Sequence, residues 1–288
     1  CGLLATGMQV GAIAASLLTG PLIVLLGWRI VFACYAVPSL AWAVLFWNRF
    51  RNTPHDHAGV NAAERSLIRE DSNEPGAPSD GSTATPWRAI LTNSSVWFLC
   101  GQQACRAAGY MFFASWFPTF LQETQDVSVK ESGYLQALVF AGTLVGSIWG
   151  GLLTDWIWRR TGSLRWSRSG VGAAFLICCA ALILCAWGVN TTLPAVALLS
   201  LGALSSALCG PSAYSAAIDI GGEHTAQVFG LMNMSGNLAT AACPILLGEL
   251  FSRTDNWQIA LLAFAVIFIV GAVCWMLVDS QRTVCAVR

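Results

Sequence analysis

Gln102, Arg106 and Tyr110 stand four residues apart in the apolar stretch GQQACRAAGYMFFASWFPTF, residues 101 to 120. That spacing stacks them on one face of a helix, with Phe113 next along it. A guanidinium can give a carboxylate two parallel hydrogen bonds, and an amide and a phenol can add neutral bonds to hydroxyls. A charge at bilayer depth costs between about 3 and more than 10 kcal/mol, and such a residue reads as functional. Two readings of Arg106 stay open: it meets the carboxylate of a ligand, or it snorkels or pairs with an acid of another helix and holds a bundle together. Its place near the middle of the stretch disfavours snorkelling. Gln103 faces a neighbouring direction and is the lesser candidate.

Further along, Asn233 and Asn237 sit one helical turn apart, and buried amides need partners. Asn237 reads as an interhelical hydrogen bond. Asp155, followed by Arg159 and Arg160, can pair in one state and release in another. The arginines alone would need no more than the positive-inside rule, which leaves the aspartate unexplained. Asp219 lies towards one end of its apolar run and reads as a gate or interface carboxylate. Glu131, Glu249 and Asp279 also lie near span ends, so no acid is placed clearly at mid-membrane. The chain offers no nucleophile with a base, no phosphate loop and no metal cluster, and neither an enzyme nor a cofactor is expected.

The elements that must position these residues are membrane helices. Of 288 residues 56% are hydrophobic and only 10% charged, where soluble domains carry about 25%. The zero formal net charge gives no basic surface for nucleic acid. Apolar runs at about 3–26, 29–47, 94–121, 133–157, 169–188, 193–218, 227–251 and 257–279 predict eight transmembrane helices. Barrel-type alternation is absent. Of the eleven cysteines nine lie inside apolar runs, where they read as small hydrophobes rather than a disulfide framework. His55 and His57 read as loop residues. If the connection from 48 to 93 is cytoplasmic, eleven of the fifteen basic residues fall on that side, and Arg106 is the one inside a span. Within that connection, Asn61 with Glu64 predicts the start of a short helix, and DSNEPGAPSDGSTATP reads as a flexible linker. A weak repeat pairs the glycine-rich first span and GWRIVF with the seventh span and NWQIAL, as in carriers built from structural repeats.

Together GWRIVF, NTPHDHAGVNAAERSLI, YMFFASWFPTFLQETQDVSVKESGYL, GGLLTDWIWRRTGSLRWSR and GLMNMSGNLATAACPILLGEL resemble the anion:cation symporter branch of the major facilitator superfamily, which includes bacterial sugar-acid permeases. The resemblance covers nearly the whole chain. It implies an all-α bundle of twelve helices, of which the last eight are present and the first four are missing. Residues 1–48 would then hold the last two helices of the N-terminal half-bundle, 49–93 the cytoplasmic central loop, 94–280 the six-helix C-terminal half-bundle and 281–288 a cytoplasmic tail. It also implies a secondary transporter of a small organic anion, such as a hexonate, hexarate or hexuronate. Proton symport, alternating access, a monomer and a multi-pass place in the inner membrane follow from the same likeness.

By resemblance Arg106 would hold the carboxylate, with Gln102, Tyr110, Asn233 and Tyr214 contacting hydroxyls, while Asp155, Arg159 and Arg160 would form the cytoplasmic gate. Trp156 stands where the family's loop signature has a basic residue, and Ser16 and Leu17 replace prolines common in its fifth helix. The proton-binding carboxylate would belong to the missing helices. The other reading is a non-transporting membrane interaction or sensor module derived from such a carrier.

Overall fold

The computed structural model describes residues 25–51, 85–189, 191–254 and 256–284, with a few scattered positions before 25 and at 59 and 61. Most of the first predicted span, His55, His57, the helix start at Asn61–Glu64 and the linker after it fall outside the described residues. All regular structure described is helical. Two compact units separate, one over 11–83 and one carrying 84–286.

In the first unit α1, Trp28–Arg49, begins after Gly27, whose φ of 75° suits glycine alone without strain. The helix is apolar on every side, with Phe32, Trp42 and Trp47 exposed, as expected of a membrane segment.

The second unit begins with a short α2, Trp87–Thr92, in what the sequence reads as the end of the linker. Asn93 then caps α3, Ser94–Met111, by accepting from the Ser95 N–H. A π segment, Phe112–Trp116, joins α3 to α4, Phe117–Gln125. Its cause lies in the sequence and in one neighbour. The Phe117 N–H reaches back five residues to the Phe112 carbonyl, and Pro118, next in line, has no N–H to give Phe113. Gln136 of α5, Val129–Thr161, fills that gap by donating its Nε2 to the Phe113 carbonyl at 2.6 Å.

A second π segment, Trp166–Gly170, opens α6, Val171–Trp187. The helices α7, Thr192–Leu208, and α8, Gly210–Gly221, meet at a break where Pro211 in the first turn interrupts the hydrogen-bond ladder. A single 3₁₀ turn, Gly222–His224, with Gly222 at φ 52°, leads to α9, Thr225–Thr254. Then α10, Trp257–Leu277, follows Asn256, which caps it through the Gln258 N–H.

Five helical segments of the described residues are long and apolar enough to cross a membrane, the longest running over 192–254. At 1.5 Å per residue so long a segment far exceeds a hydrocarbon core of about 30 Å, so the turn at 222–224 must fold it back. The α3 helix is not among the five, because Gln102, Gln103 and Arg106 dilute its apolar character. It is held instead by protein, packing along α9 and α10.

Three glycines of α5 set its distance from α7. A Cβ at Gly146 or Gly150 would meet the backbone carbonyl of Leu204 or Leu208, and one at Gly142 would come within 3.2 Å of the Ser200 carbonyl. The small-xxx-small spacing thus brings two helix backbones together. The core between α3, α4, α6 and α10 is aromatic, with Phe112, Phe113, Phe264, Phe268 and Trp275 fully buried.

Candidate functional site

Arg106 lies in the second half of α3 and is half-buried. Its Nε and Nη2 donate to Oε1 of Gln103, one turn earlier, at 3.3 and 3.2 Å. Among the described residues no carboxylate comes within ion-pair distance of it. Its Nη1 reaches across to α8, where it would lie 3.9 Å from a Cβ added at Gly210. The result is a cation inside a helix bundle whose hydrogen-bonded partner is neutral. Unpaired charge in such a place is costly, which makes it a strong acceptor of an anion.

Gln103 is pinned by α9. The missing side chain of Gly236 makes the room, since a Cβ there would stand 3.1 Å from Gln103 Cγ and 3.5 Å from Ala107 Cβ. Gln102 is wholly buried, and neither its Oε1 nor its Nε2 has a hydrogen-bond partner. A buried amide left this way costs on the order of 1–3 kcal/mol for each unsatisfied group. Tyr110 is half-buried one turn beyond Arg106. Phe113 does not continue the polar face; it is fully buried, its ring near Phe112 and Phe268.

Tyr214, one turn along α8 from Gly210, is half-buried with its ring 5.4 Å from that of Phe229 on α9. Asn233 donates its Nδ2 to the Phe229 carbonyl at 3.1 Å. Contacts of Arg106 with Gly210 of α8, of Tyr214 with Phe229 of α9 and of Gln103 with Gly236 of α9 thus tie the three helices together, while Asn233 bonds within its own helix. Asn237 is exposed rather than held in an interhelical hydrogen bond.

Asp155, Arg159 and Arg160 are all exposed near the C-terminus of α5, and none forms an ion pair among the described residues. Arg160 instead lies over the Trp156 ring at 5.5 Å. The two arginines suit the negative end of the helix dipole, and Gly162 at φ 62° ends the helix by returning its N–H to the Trp158 carbonyl. The buried polar network at this end runs through other residues. Arg168 Nε donates to Asp219 Oδ2 at 2.9 Å, and Arg168 Nη1 donates to Ser167 Oγ at 2.9 Å. Ser167 in turn donates to the Thr154 carbonyl at 3.0 Å, and Thr154 shares a 2.9 Å bond with Ser212. Ser169 ties the same segment to the Val278 carbonyl at 2.9 Å. Thr154, not its neighbour Asp155, is the α5 member of this network. Sequence reasoning had Asp219 as a gate or interface acid but left Arg168 among the loop arginines. Its signal was an arginine flanked by serines at the lip of an apolar run.

Residues 1–244 match the family model described as Major Facilitator Superfamily. The chain belongs to this superfamily. Within it, a protein of Cupriavidus necator named probable sulfoacetate transporter is 29% identical over 264 residues, covering 90% of this chain and 59% of that protein. A probable L-galactonate transporter of Escherichia coli is 22% identical over 274 residues, covering 94% of the chain and 59% of its own length. The probable galactarate/D-glucarate transporter GudP of Bacillus subtilis is 25% identical over 242 residues, 82% of the chain and 52% of its own length. The chain spans little more than half the length of these superfamily members.

Proposed function

We propose that the chain is part of a secondary transporter that carries a small organic anion, a sugar acid such as a hexonate, hexarate or hexuronate, by alternating access. The observation that carries this reading is Arg106: a half-buried guanidinium in the bundle whose hydrogen-bonded partner is the neutral amide of Gln103. Its free donor capacity faces α8, and an incoming carboxylate supplies the missing charge and a bidentate acceptor. Asn233, Tyr110 and Tyr214 are assigned to the sugar hydroxyls in this proposal. Gln102 adds an amide with no protein bond to give up. The superfamily relatives named for sulfoacetate, galactonate and galactarate/glucarate support the anion class.

Proton symport is the second part of the proposal. Among the described residues the acids sit near helix ends, so the coupling carboxylate would come from elsewhere in the intact protein. Asp155 with Arg159 and Arg160, and the buried Arg168–Asp219 pair beside them, are proposed as the gate on the cytoplasmic side. The same proposal places the protein in the inner membrane as a monomer, with the central loop and C-terminus cytoplasmic. Counter-flow of labelled galactonate in vesicles holding the intact protein, with a panel of acids at several pH values, tests the reading. Exchange that sugar acids compete for and that Arg106→Ala abolishes is expected. Undiminished exchange in Arg106→Ala would remove the assigned role.

A further inference from the structure

Between the start of α6 and the end of α10 lies a groove of about 600 Å³, far from Arg106 in sequence and built from different residues. Its floor is small: Gly170, Ala173 and Ala174. Ile177 and Met276 wall its apolar length, and Arg165 and Trp166 stand at its head. The Trp166 ring lies over Gly170, within 3.1 Å of where a Cβ would be. Arg165 is exposed and makes no ion pair among the described residues. On both helices the outward side chains are apolar, including Ile177, Leu184, Ile269, Val273 and Met276, so this face meets acyl chains rather than water.

We infer that the groove is a binding site for an anionic phospholipid. One acyl chain lies along the alanines between Ile177 and Met276, and the phosphate sits against the Arg165 guanidinium at the level of the Trp166 indole. Three properties fit that occupant. The groove is apolar where a chain would lie, it carries an unpaired cation at its one polar end, and its tryptophan is of the type enriched at headgroup depth. A neutral lipid would leave the guanidinium unmatched. A basic pocket between membrane helices is a recognised setting for acidic headgroups.

Native mass spectrometry of the intact protein, titrated with phosphatidylglycerol or phosphatidylcholine of equal chain length, tests this. Retention of phosphatidylglycerol should exceed that of phosphatidylcholine by about fivefold, the preference one basic residue confers near a membrane surface. Arg165→Gln should abolish the preference, and Ala174→Trp, which fills the groove from an exposed position, should lower retention of both lipids. Unfolding midpoints in phosphatidylcholine alone should match the wild type for both variants. Equal retention of the two lipids by the wild type, an unchanged preference in Arg165→Gln, or full displacement by soluble glycerol phosphate would each overturn the assignment.

Discussion

Replacing Asp219 with Asn should destabilise the protein more than replacing Arg168 with Gln, although both break the same bond. The pair meets at 2.9 Å, with the side chain of Arg168 10% exposed and that of Asp219 22% exposed. Charges about 4 Å apart attract by about 4 kcal/mol at an effective dielectric near 20, much of it offset by desolvation. The costs of the two deletions differ because of what is left behind. Without Asp219, the better-buried guanidinium keeps the hydroxyl of Ser167 and no counter-charge, a loss of roughly 3–5 kcal/mol. Without Arg168, the carboxylate is more than twice as exposed and can draw on water, so the loss falls nearer 1.5–3 kcal/mol, the worth of a charged hydrogen bond. The double variant restores a neutral amide pair and should be more stable than Asp219→Asn alone, a non-additivity of about 0.5–3 kcal/mol. Reversible unfolding in mixed micelles, followed by tryptophan fluorescence, measures all three. Equal losses for the two single variants, or strict additivity in the double, would refute the view that a buried, mutually dependent ion pair ties the start of α6 to the end of α8.

Gly150→Ala should cost about 1–3 kcal/mol, because its Cβ runs into the backbone carbonyl of Leu208, which no rotamer change can move aside. Gly133→Ala on the same helix has open space around it and should gain about 0.5–1 kcal/mol; the same unfolding assay separates the two. Gln136→Leu should leave the Phe113 carbonyl unsatisfied and cost about 1–3 kcal/mol, with faster amide hydrogen exchange confined to residues around 112–118.

The helices were legible because a bilayer imposes a length: the predicted spans from residue 29 onward fall on helical backbone, though 193–218 breaks into α7 and α8 at Cys209 and α3 is not among the five segments long and apolar enough to cross. The helical period of Gln102, Arg106 and Tyr110 was readable too, but it ranked Gln103 below Gln102, whereas Gln103 is the residue that bonds Arg106. What the sequence could not display are relations between distant segments. Phe113 has the right spacing for the polar face, yet it joins the aromatic core at the π segment, which depends on Pro118 and on Gln136 from another helix. Arg168 and Asp219 are 51 positions apart, and each alone looks like a charge at the end of a span. The role of Gln103 as the partner of Arg106 depends on Gly236 in α9, which lets the glutamine side chain lie flat between the helices. The GxxxGxxxG spacing at 142, 146 and 150 gains its meaning only from α7, whose backbone it meets.

In the proposed function Arg106 recognises the charge of the transported anion. Equilibrium binding to the intact purified protein of galactonate and of galactitol, its neutral alcohol, by isothermal titration calorimetry tests it most directly. The wild type should bind the acid at least about tenfold more tightly than the alcohol, since a charge-assisted bidentate contact contributes roughly 1.5–3 kcal/mol. Arg106→Gln, which keeps hydrogen-bonding capacity and removes the charge, should bind the two alike. A variant that still prefers the acid by the wild-type margin would contradict the account.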